Sequence, residues 1–419
     1  MTYREATEYL ARLRERGIRP GLSRLEAALA AAGDPHRALR VIHLAGTNGK
    51  GSTARMIQSI FTAAGYRTGL FTSPAVTGVR DTLTVDGAPV SKRAFAALVA
   101  RWQARGAELT EFEYLTAMAL DYFARQRVDL CVLECGMGGA GDATNVCPPP
   151  LCGVITPVAL DHVAYLGDTV AAIAGEKCGI LKGACPAVTS PDQDPRALEV
   201  IFRRAAERGA TVYIPNAGAA RLLPSAPGTT RFCYGGEEYT LPMGGRFQMG
   251  NALTALEAVE TAARRGFPVG EEAKKQGLAA AFLPCRQELV SLSPLRMIDG
   301  GHNPQGVAAL AETLRPVAPV TLVCGMLRDK DVAAAAALLA PLARRVICLT
   351  PPCSRGMAAE ALADRFRAAG AEQVETVEDP AAAYRRGERL AGEGPLVVCG
   401  SFYTAAPIRP LMLRRRKKG

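Results

Sequence analysis

Histidine is scarce, four in 419 residues, and the twelve cysteines include no Cys-x-x-Cys pair. That spacing suggests neither a zinc centre nor a disulfide framework. The cysteines lie mostly inside apolar runs, as at Cys131, Cys324 and Cys399, where reduced thiols serve as small hydrophobes. Long hydrophobic runs are missing too, since none approaches the roughly 20 residues that span a bilayer. The alanine-rich stretch from Val332 to Ala343 is too short and reads as a buried helix. The first residues, Met1-Thr-Tyr-Arg-Glu-Ala6, lack the apolar core of a signal peptide, so a cytoplasmic location is expected. No internal repeat stands out.

What is present is the composition of a globular chain, 48% hydrophobic and 21% charged. At roughly 100–200 residues per domain, the length allows two or three domains. The formal net charge is +10, but the basic residues are spread along the chain except for the run from Arg414 to Lys418. That run reads as a solvated tail rather than a contact for nucleic acid or a membrane. Elsewhere a positive balance suits small polyanions, a nucleotide among them.

Apolar strand-like runs alternate with helical patterns, which predicts an α/β protein with parallel sheets and helices on both faces. Residues 128–134, 153–156 and 187–189 read as strands of a first domain. A second set at 295–299, 320–324, 345–349, 375–377 and 396–399 alternates with helices near 305–316, 331–342, 357–368 and 380–391. This is the pattern of a smaller, doubly wound, Rossmann-like domain. A boundary is expected at Phe282-Leu-Pro-Cys285, where a proline follows an alanine-rich helix, giving domains 1–284 and 285–419. The Gly-, Pro- and Thr-rich segment 218–245 is expected to form hairpins or loops attached to the first domain.

Val41-Ile-His-Leu-Ala-Gly-Thr-Asn-Gly-Lys-Gly-Ser-Thr53 runs a short strand into a glycine-rich turn with one lysine, then into a helix. Met56, Ile57, Ile60, Phe61 and Ala64 recur there at helical spacing. Gly46, Gly49 and Gly51 can take backbone angles closed to other residues, so consecutive N–H groups can face phosphate oxygens while Lys50 adds a full charge. The pattern departs from the usual P-loop, because Leu44 holds a glycine's place and Gly51 separates Lys50 from Ser52-Thr53. The reading is a nucleoside triphosphate site in a P-loop ATPase-like first domain.

Four further segments carry residues suited to chemistry, each expected where a strand ends. Glu134 precedes Cys135-Gly-Met-Gly-Gly139, and such a carboxylate commonly holds Mg²⁺; the alternative is a glutamate capping the next helix. Asp161 and His162 follow the strand ending at Thr156, and beside an acid in that row His162 reads as a ligand. Lys177, in Gly175-Glu-Lys-Cys-Gly179, taken alone is a surface lysine. Asp299-Gly-Gly-His-Asn-Pro304 opens the second domain's first crossover. Asp-Gly-Gly can be an ordinary turn, but the polar pair His302-Asn303 is harder to explain by folding alone.

Together these residues resemble the folylpolyglutamate synthase and dihydrofolate synthase family, within the ATP-dependent Mur ligases. The resemblance runs from Gly21-Leu-Ser-Arg24 to Cys399-Gly-Ser-Phe402. It includes Gly46-Thr-Asn-Gly-Lys-Gly-Ser52, Thr72-Ser-Pro74, Phe112-Glu113, Asp142-Ala-Thr-Asn-Val146, Leu160-Asp-His162, Glu176-Lys177, Asn251-Ala252, Pro284-Cys-Arg286 and Asp329-Lys-Asp331. It implies that Thr47, Asn48, Gly49, Lys50, Gly51 and Ser52 cradle the phosphates of ATP in an interdomain cleft. Asn251, Arg286, Asp299 and His302 are the implied adenine, phosphate and ribose contacts, and Ser73, Glu134 and His162 the implied ligands to two Mg²⁺ ions. Lys177 matches a lysine that is carbamylated in this family, a change from cation to anion that helps organise the second ion. Lys50, Lys177 and His302 are the implied catalytic groups, and Phe112, Glu113 and Asp142 the implied pterin or pocket contacts.

The implied reaction is an amide ligation, in which a folate or dihydropteroate carboxylate becomes an acyl phosphate and the amine of L-glutamate displaces phosphate. A monomer acting on small molecules is expected, with neither nucleic acid nor membrane as partner, and with hinge closure of two domains. The chain departs from the family after Pro74, where Ala75-Val-Thr-Gly-Val-Arg80 replaces a His-led basic and aromatic stretch. It departs also at Ala140-Gly141 for Arg-Leu, Phe247 for His, Cys285 for Gly and Gly301 for Ala. Most of these changes fall on the acceptor side, which leaves open a Mur-group ligase with a different carboxylate acceptor. A nucleotide-sensing module without turnover is a third reading, disfavoured because Lys50, Glu134, His162 and Lys177 occur together.

Overall fold

The computed structural model describes residues 1–416; Lys417 and Lys418 of the basic run lie outside the described residues. Among the described residues no helix is long and apolar enough to cross a membrane. The chain divides into two compact units. One comprises Met1–Arg221, Phe232–Thr240 and Met249–Phe282, the other Leu222–Arg231, Leu241–Gln248 and Leu283–Gly419.

In the first unit, strands β1 (Val41–Ala45), β2 (Thr68–Phe71), β3 (Leu83–Val85), β4 (Ala88–Pro89), β5 (Leu130–Glu134), β6 (Cys152–Ile155), β7 (Ala187–Thr189) and β8 (Val212–Tyr213) form one sheet, ordered β4-β3-β2-β5-β1-β6-β7-β8. From β2 to β8 the neighbours are parallel, and β1 and β5 are buried along their whole length, as strands covered on both faces must be. The edge is different: β3 pairs antiparallel with β2, and β4 with β3. The two-residue turn Asp86-Gly87, at φ 51° and 76°, has the twist that closes a tight hairpin. Register sets the central strands level, with Phe71 beside Leu133, Leu44 beside Glu134 and Ala45 beside Ile155. The loops after β2, β5, β1 and β6 therefore emerge along one edge.

The helix Lys50–Ala63 follows β1 and buries Met56, Ile57, Ile60 and Phe61 completely. The helix Glu271–Ala280 lies against it so closely that a Cβ on Gly277 would stand 2.3 Å from the Ile60 Cα. Strands β9 (Ala220–Leu223), β10 (Thr230–Tyr234) and β11 (Glu237–Leu241) make a three-stranded sheet in the segment read as hairpins. That segment does not belong wholly to the first unit, because residues 222–231 and 241–248 group with the second. The reason is local contact there: a Cβ on Gly228 would lie 2.5 Å from the Leu289 Cβ, and Thr230 Oγ1 donates to the Met243 carbonyl at 2.8 Å.

The second unit carries β12 (Glu288–Leu292), β13 (Leu295–Ile298), β14 (Val320–Cys324), β15 (Ala343–Cys348), β16 (Val374–Thr376) and β17 (Leu396–Cys399), ordered β12-β13-β17-β14-β15-β16. β13 to β16 are parallel and lie within two residues of the strands read from sequence. β12 is an additional antiparallel edge.

Candidate active site

β1 ends at Ala45 and the chain turns through residues 46–49 into the Lys50–Ala63 helix. Two glycines are required by contact. A Cβ on Gly46 would stand 1.8 Å from Thr156 Oγ1, and one on Gly49, at φ 83°, would stand 2.2 Å from Asn251 Oδ1. Asn251 is thereby brought against the turn. The expected continuous row of phosphate-facing amides is interrupted, however, because the amides of Thr47 and Asn48 both donate to the Pro157 carbonyl, at 2.9 and 3.1 Å. Thr47 Oγ1 also bridges the Ala159 carbonyl and amide at 3.0 Å each, pinning this half of the turn to the loop after β6. The amides of Lys50, Gly51 and Ser52 sit in the helix's first turn, where the helix itself offers no carbonyl four residues back. With the helix dipole they form an anion-facing end.

Lys50 folds over the turn, its Nζ donating to the Gly46 carbonyl at 2.9 Å and the Thr47 carbonyl at 3.3 Å. Lys177 Nζ donates to the same Gly46 carbonyl at 2.8 Å. Contrary to the sequence reading, Lys177 is neither at a strand end nor on the surface. It lies in the last turn of the helix Val170–Lys177 and is 4% exposed. Close backbone packing hides it, for a Cβ on Gly139 would meet the Glu176 and Lys177 carbonyl oxygens at 2.6 Å. Burial, and then repulsion from Lys50, lowers the Lys177 ammonium to a pKa of about 7. Two ammonium groups on one carbonyl oxygen concentrate positive charge that an anion would relieve.

Glu134 ends β5, is buried, and accepts the Ser73 amide at Oε2 from 3.2 Å. His162, at φ 52°, leads into the short helix Val163–Leu166, and the adjoining Asp161 Oδ1 accepts its amide at 2.9 Å. Lys50, Lys177, Asp161, His162 and the loop 136–138 line one narrow cleft, with Glu134 and Ser73 on the neighbouring strand ends. Among the described residues no three His, Cys, Asp or Glu side chains gather as a metal site. One buried carboxylate beside Ser73 nevertheless fits Mg²⁺, which takes one or two protein carboxylates and completes its shell with phosphate oxygens and water.

Three residues implied as acceptor contacts have other partners. Asp142 is buried; its Oδ1 accepts from the Thr144 amide (2.9 Å) and hydroxyl (2.5 Å), and its Oδ2 from the Met137 amide (2.9 Å). Burial raises its pKa, and the hydrogen bonds oppose that rise. Glu113 closes a capping box with the Thr110 amide (2.8 Å) and pairs with Arg24 (2.9 Å). Phe112 covers Gly136, where a Cβ would stand 2.7 Å from the ring, and of the three only Phe112 retains appreciable exposed surface. Sequence reasoning passed over His43. It is fully buried in β1, its Nε2 2.8 Å from Thr144 Oγ1, and burial drops its pKa to about 3. Through Thr144 it braces the Asp142 loop; a lone histidine inside an apolar strand was the available signal.

In the second unit, Asp299 is buried and both carboxylate oxygens are engaged, Oδ1 by the Gly301 amide (2.7 Å) and Oδ2 by the Gln287 amide (2.9 Å). Asn303 caps the helix Pro304–Leu314 through the Gly306 amide at 2.9 Å, so folding does explain that polar residue. His302 Nδ1 lies 3.1 Å from the Gly300 carbonyl. The Arg286 guanidinium stacks 4.5 Å over the Phe402 ring, and its buried Nε has no hydrogen-bond partner among the described residues. An anionic oxygen would satisfy that donor. Cys285, standing where the family motif has glycine, takes φ 57°.

Residues 44–259 match the Mur ligase middle domain and residues 285–402 the Mur ligase glutamate ligase domain, which sets the class as ATP-dependent Mur ligases. The dihydrofolate synthase/folylpolyglutamate synthase of Bacillus subtilis (strain 168) is 37% identical over 350 residues, 78% of this chain and 80% of that protein. The folylpolyglutamate synthase of Lacticaseibacillus casei is 32% identical, covering 99% of each chain. Mycobacterium tuberculosis folylpolyglutamate synthase complexed with ADP superposes with a TM-score of 0.89 at 32% identity, covering 98% of this chain and 99% of that one. The chain belongs to the folylpolyglutamate synthase/dihydrofolate synthase family.

Proposed function

We propose that this protein joins L-glutamate to the carboxylate of both dihydropteroate and reduced folates in an ATP- and Mg²⁺-dependent reaction, as a cytoplasmic monomer. The observation that carries the reading is the pair of ammonium groups, Lys50 and Lys177, on the Gly46 carbonyl beside an anion-facing helix end. Relatives whose names include both synthase activities support the choice of acceptors over the Mur ligase with another acceptor.

ATP with Mg²⁺ supplies the phosphoryl group that turns the acceptor carboxylate into an acyl phosphate, the form open to an amine. Lys50 and the amides of Lys50, Gly51 and Ser52 hold the phosphates, and Ser73, Glu134 and His162 hold the metal. Asn251, Arg286, Asp299 and His302 serve the rest of the nucleotide, with the buried Arg286 Nε the donor that has most to gain. Lys177 has a substantial neutral amine fraction near pH 7, which can add CO₂ and release a proton. The carbamate so formed removes one of two clustered cations and provides oxygen ligands for a second Mg²⁺. Phe112 offers its ring to the pterin, while Glu113 and Asp142 hold the pocket's walls. Residues 1–284 are the ATP-binding domain and residues 285–419 the Rossmann-like glutamate ligase domain.

The test is incubation with ATP, glutamate and either dihydropteroate or tetrahydrofolate, read by product mass and phosphate release. Addition of one or more glutamates to each acceptor is expected. No product with either acceptor would return the reading to a Mur ligase of different specificity.

A further inference from the structure

A second cavity, of about 470 Å³, opens on the first unit behind the helix Val170–Lys177. Gly175 and Glu176 stand on one wall; Arg203, Arg204 and Arg208, at and just beyond the end of the helix Pro195–Ala206, stand on the other. It shares no lining residue with the nucleotide cleft. Its volume is that of a small-molecule site, roughly 300–1,000 Å³. The lining sets three guanidinium groups against one carboxylate. Arg204 pairs with Glu207 at 3.0 Å, whereas Arg203 and Arg208 make no ion pair among the described residues. All three charges act on the buried Cys178 thiol in the lining, although burial dominates and pushes that thiol up to about 12. The helix dipole accounts for basic residues in the last turn, Arg203 and Arg204. It does not account for Arg208 beyond the helix, or for an open cavity between cations and a facing helix.

We propose that this cavity is an anion-binding site, separate from the nucleotide cleft, for a ligand bearing two or more carboxylate or phosphate groups that Arg203 and Arg208 hold through paired N–H donors. The wall it would press on is tied to the loop after β5, whose residues 136–138 line the nucleotide cleft. The Ala140 amide donates to the Glu176 carbonyl at 2.9 Å, and a Cβ on Gly179 would stand 2.4 Å from the Ala140 Cα.

Isothermal titration calorimetry on the full chain tests this, with the nucleotide cleft filled by a non-hydrolysable ATP analogue and Mg²⁺. Two probes are used, tri-γ-glutamate for carboxylates and inorganic pyrophosphate for phosphates. Saturable binding of at least one is expected, weakened about tenfold or more by the double change Arg203→Gln/Arg208→Gln; the probe that binds identifies the source. Gly175→Phe enters open space, since nothing lies within 4 Å of a Cβ there, and should weaken binding comparably without altering charge. Circular dichroism establishes that each variant is folded. No saturable binding by either probe, or equal affinity in the double variant, overturns the proposal.

Discussion

Lys177 is a cation held where a cation is costly, and its pH dependence follows. Its folded pKa of about 7 lies below the ordinary 10.5, so between those values the unfolded chain binds the extra proton and stability rises with pH. Below pH 7 the full penalty applies. Lys177→Met should raise stability at pH 7 by roughly 1–3 kcal/mol and flatten the slope from pH 7 to 10.5, because the Gly46 carbonyl keeps its Lys50 donor. Urea unfolding across that range measures both, and an unchanged slope would contradict the assignment. Activity should fall in the same variant, since the amine proposed to add CO₂ is gone. Lys50→Ala should lower acyl phosphate formation by roughly 10²–10³-fold or more; rapid-quench trapping of the intermediate reads this, and full turnover would exclude the role. The candidate residues were legible as types at spacings, but their engagement was not. Asp142, Glu113 and Asp299 spend their carboxylate oxygens on local amides and on Arg24 or Thr144. No spacing rule reveals such partners in advance.

Among the elements, the Lys50–Ala63 helix depends on a neighbour far along the chain. A Cβ on Gly277 would meet the Ile60 Cα at 2.3 Å and its amide nitrogen at 2.6 Å, atoms that cannot swing aside as a side chain would. Gly277→Ala should cost roughly 1–3 kcal/mol and, by displacing the helix that carries Lys50, raise the KM for ATP. Thermal melts and initial rates test the pair; an unaltered melting temperature would mean the helices part at no cost. Thr110→Ala removes half of a capping box and should cost about 1 kcal/mol. The alternation of strands and helices was readable because each buried parallel strand is an apolar run bounded by turn residues. The antiparallel edges at β3, β4 and β12 were missed. For the first, Asp86-Gly87 was a hairpin signal in plain view; the strands flanking it are only three and two residues long.

For the molecule as a whole, ligand binding is coupled to stability by mass action. A non-hydrolysable ATP analogue with Mg²⁺, at a hundred times its Kd, should stabilise the folded chain by about 2.7 kcal/mol. The gain should shrink in Lys50→Ala at the same concentration and when EDTA replaces the metal. Denaturant titration with and without nucleotide supplies the numbers, and equal gains in both proteins would remove Lys50 from the phosphate site.

The amino-acid pattern by itself determined the α/β class, the strand, glycine turn and helix from β1 to Ala63, and the family, since each rests on short-range periodicity or on motifs contiguous in the chain. Tertiary structure alone decided that Lys177 is buried, that it shares a carbonyl with Lys50, and that the Thr47 and Asn48 amides are already spent on Pro157. Those facts depend on residues distant in the chain, more than a hundred positions apart for both hydrogen-bonded contacts, meeting in a low-dielectric interior, where the energy of a charge or an amide is set by neighbours that only folding assembles.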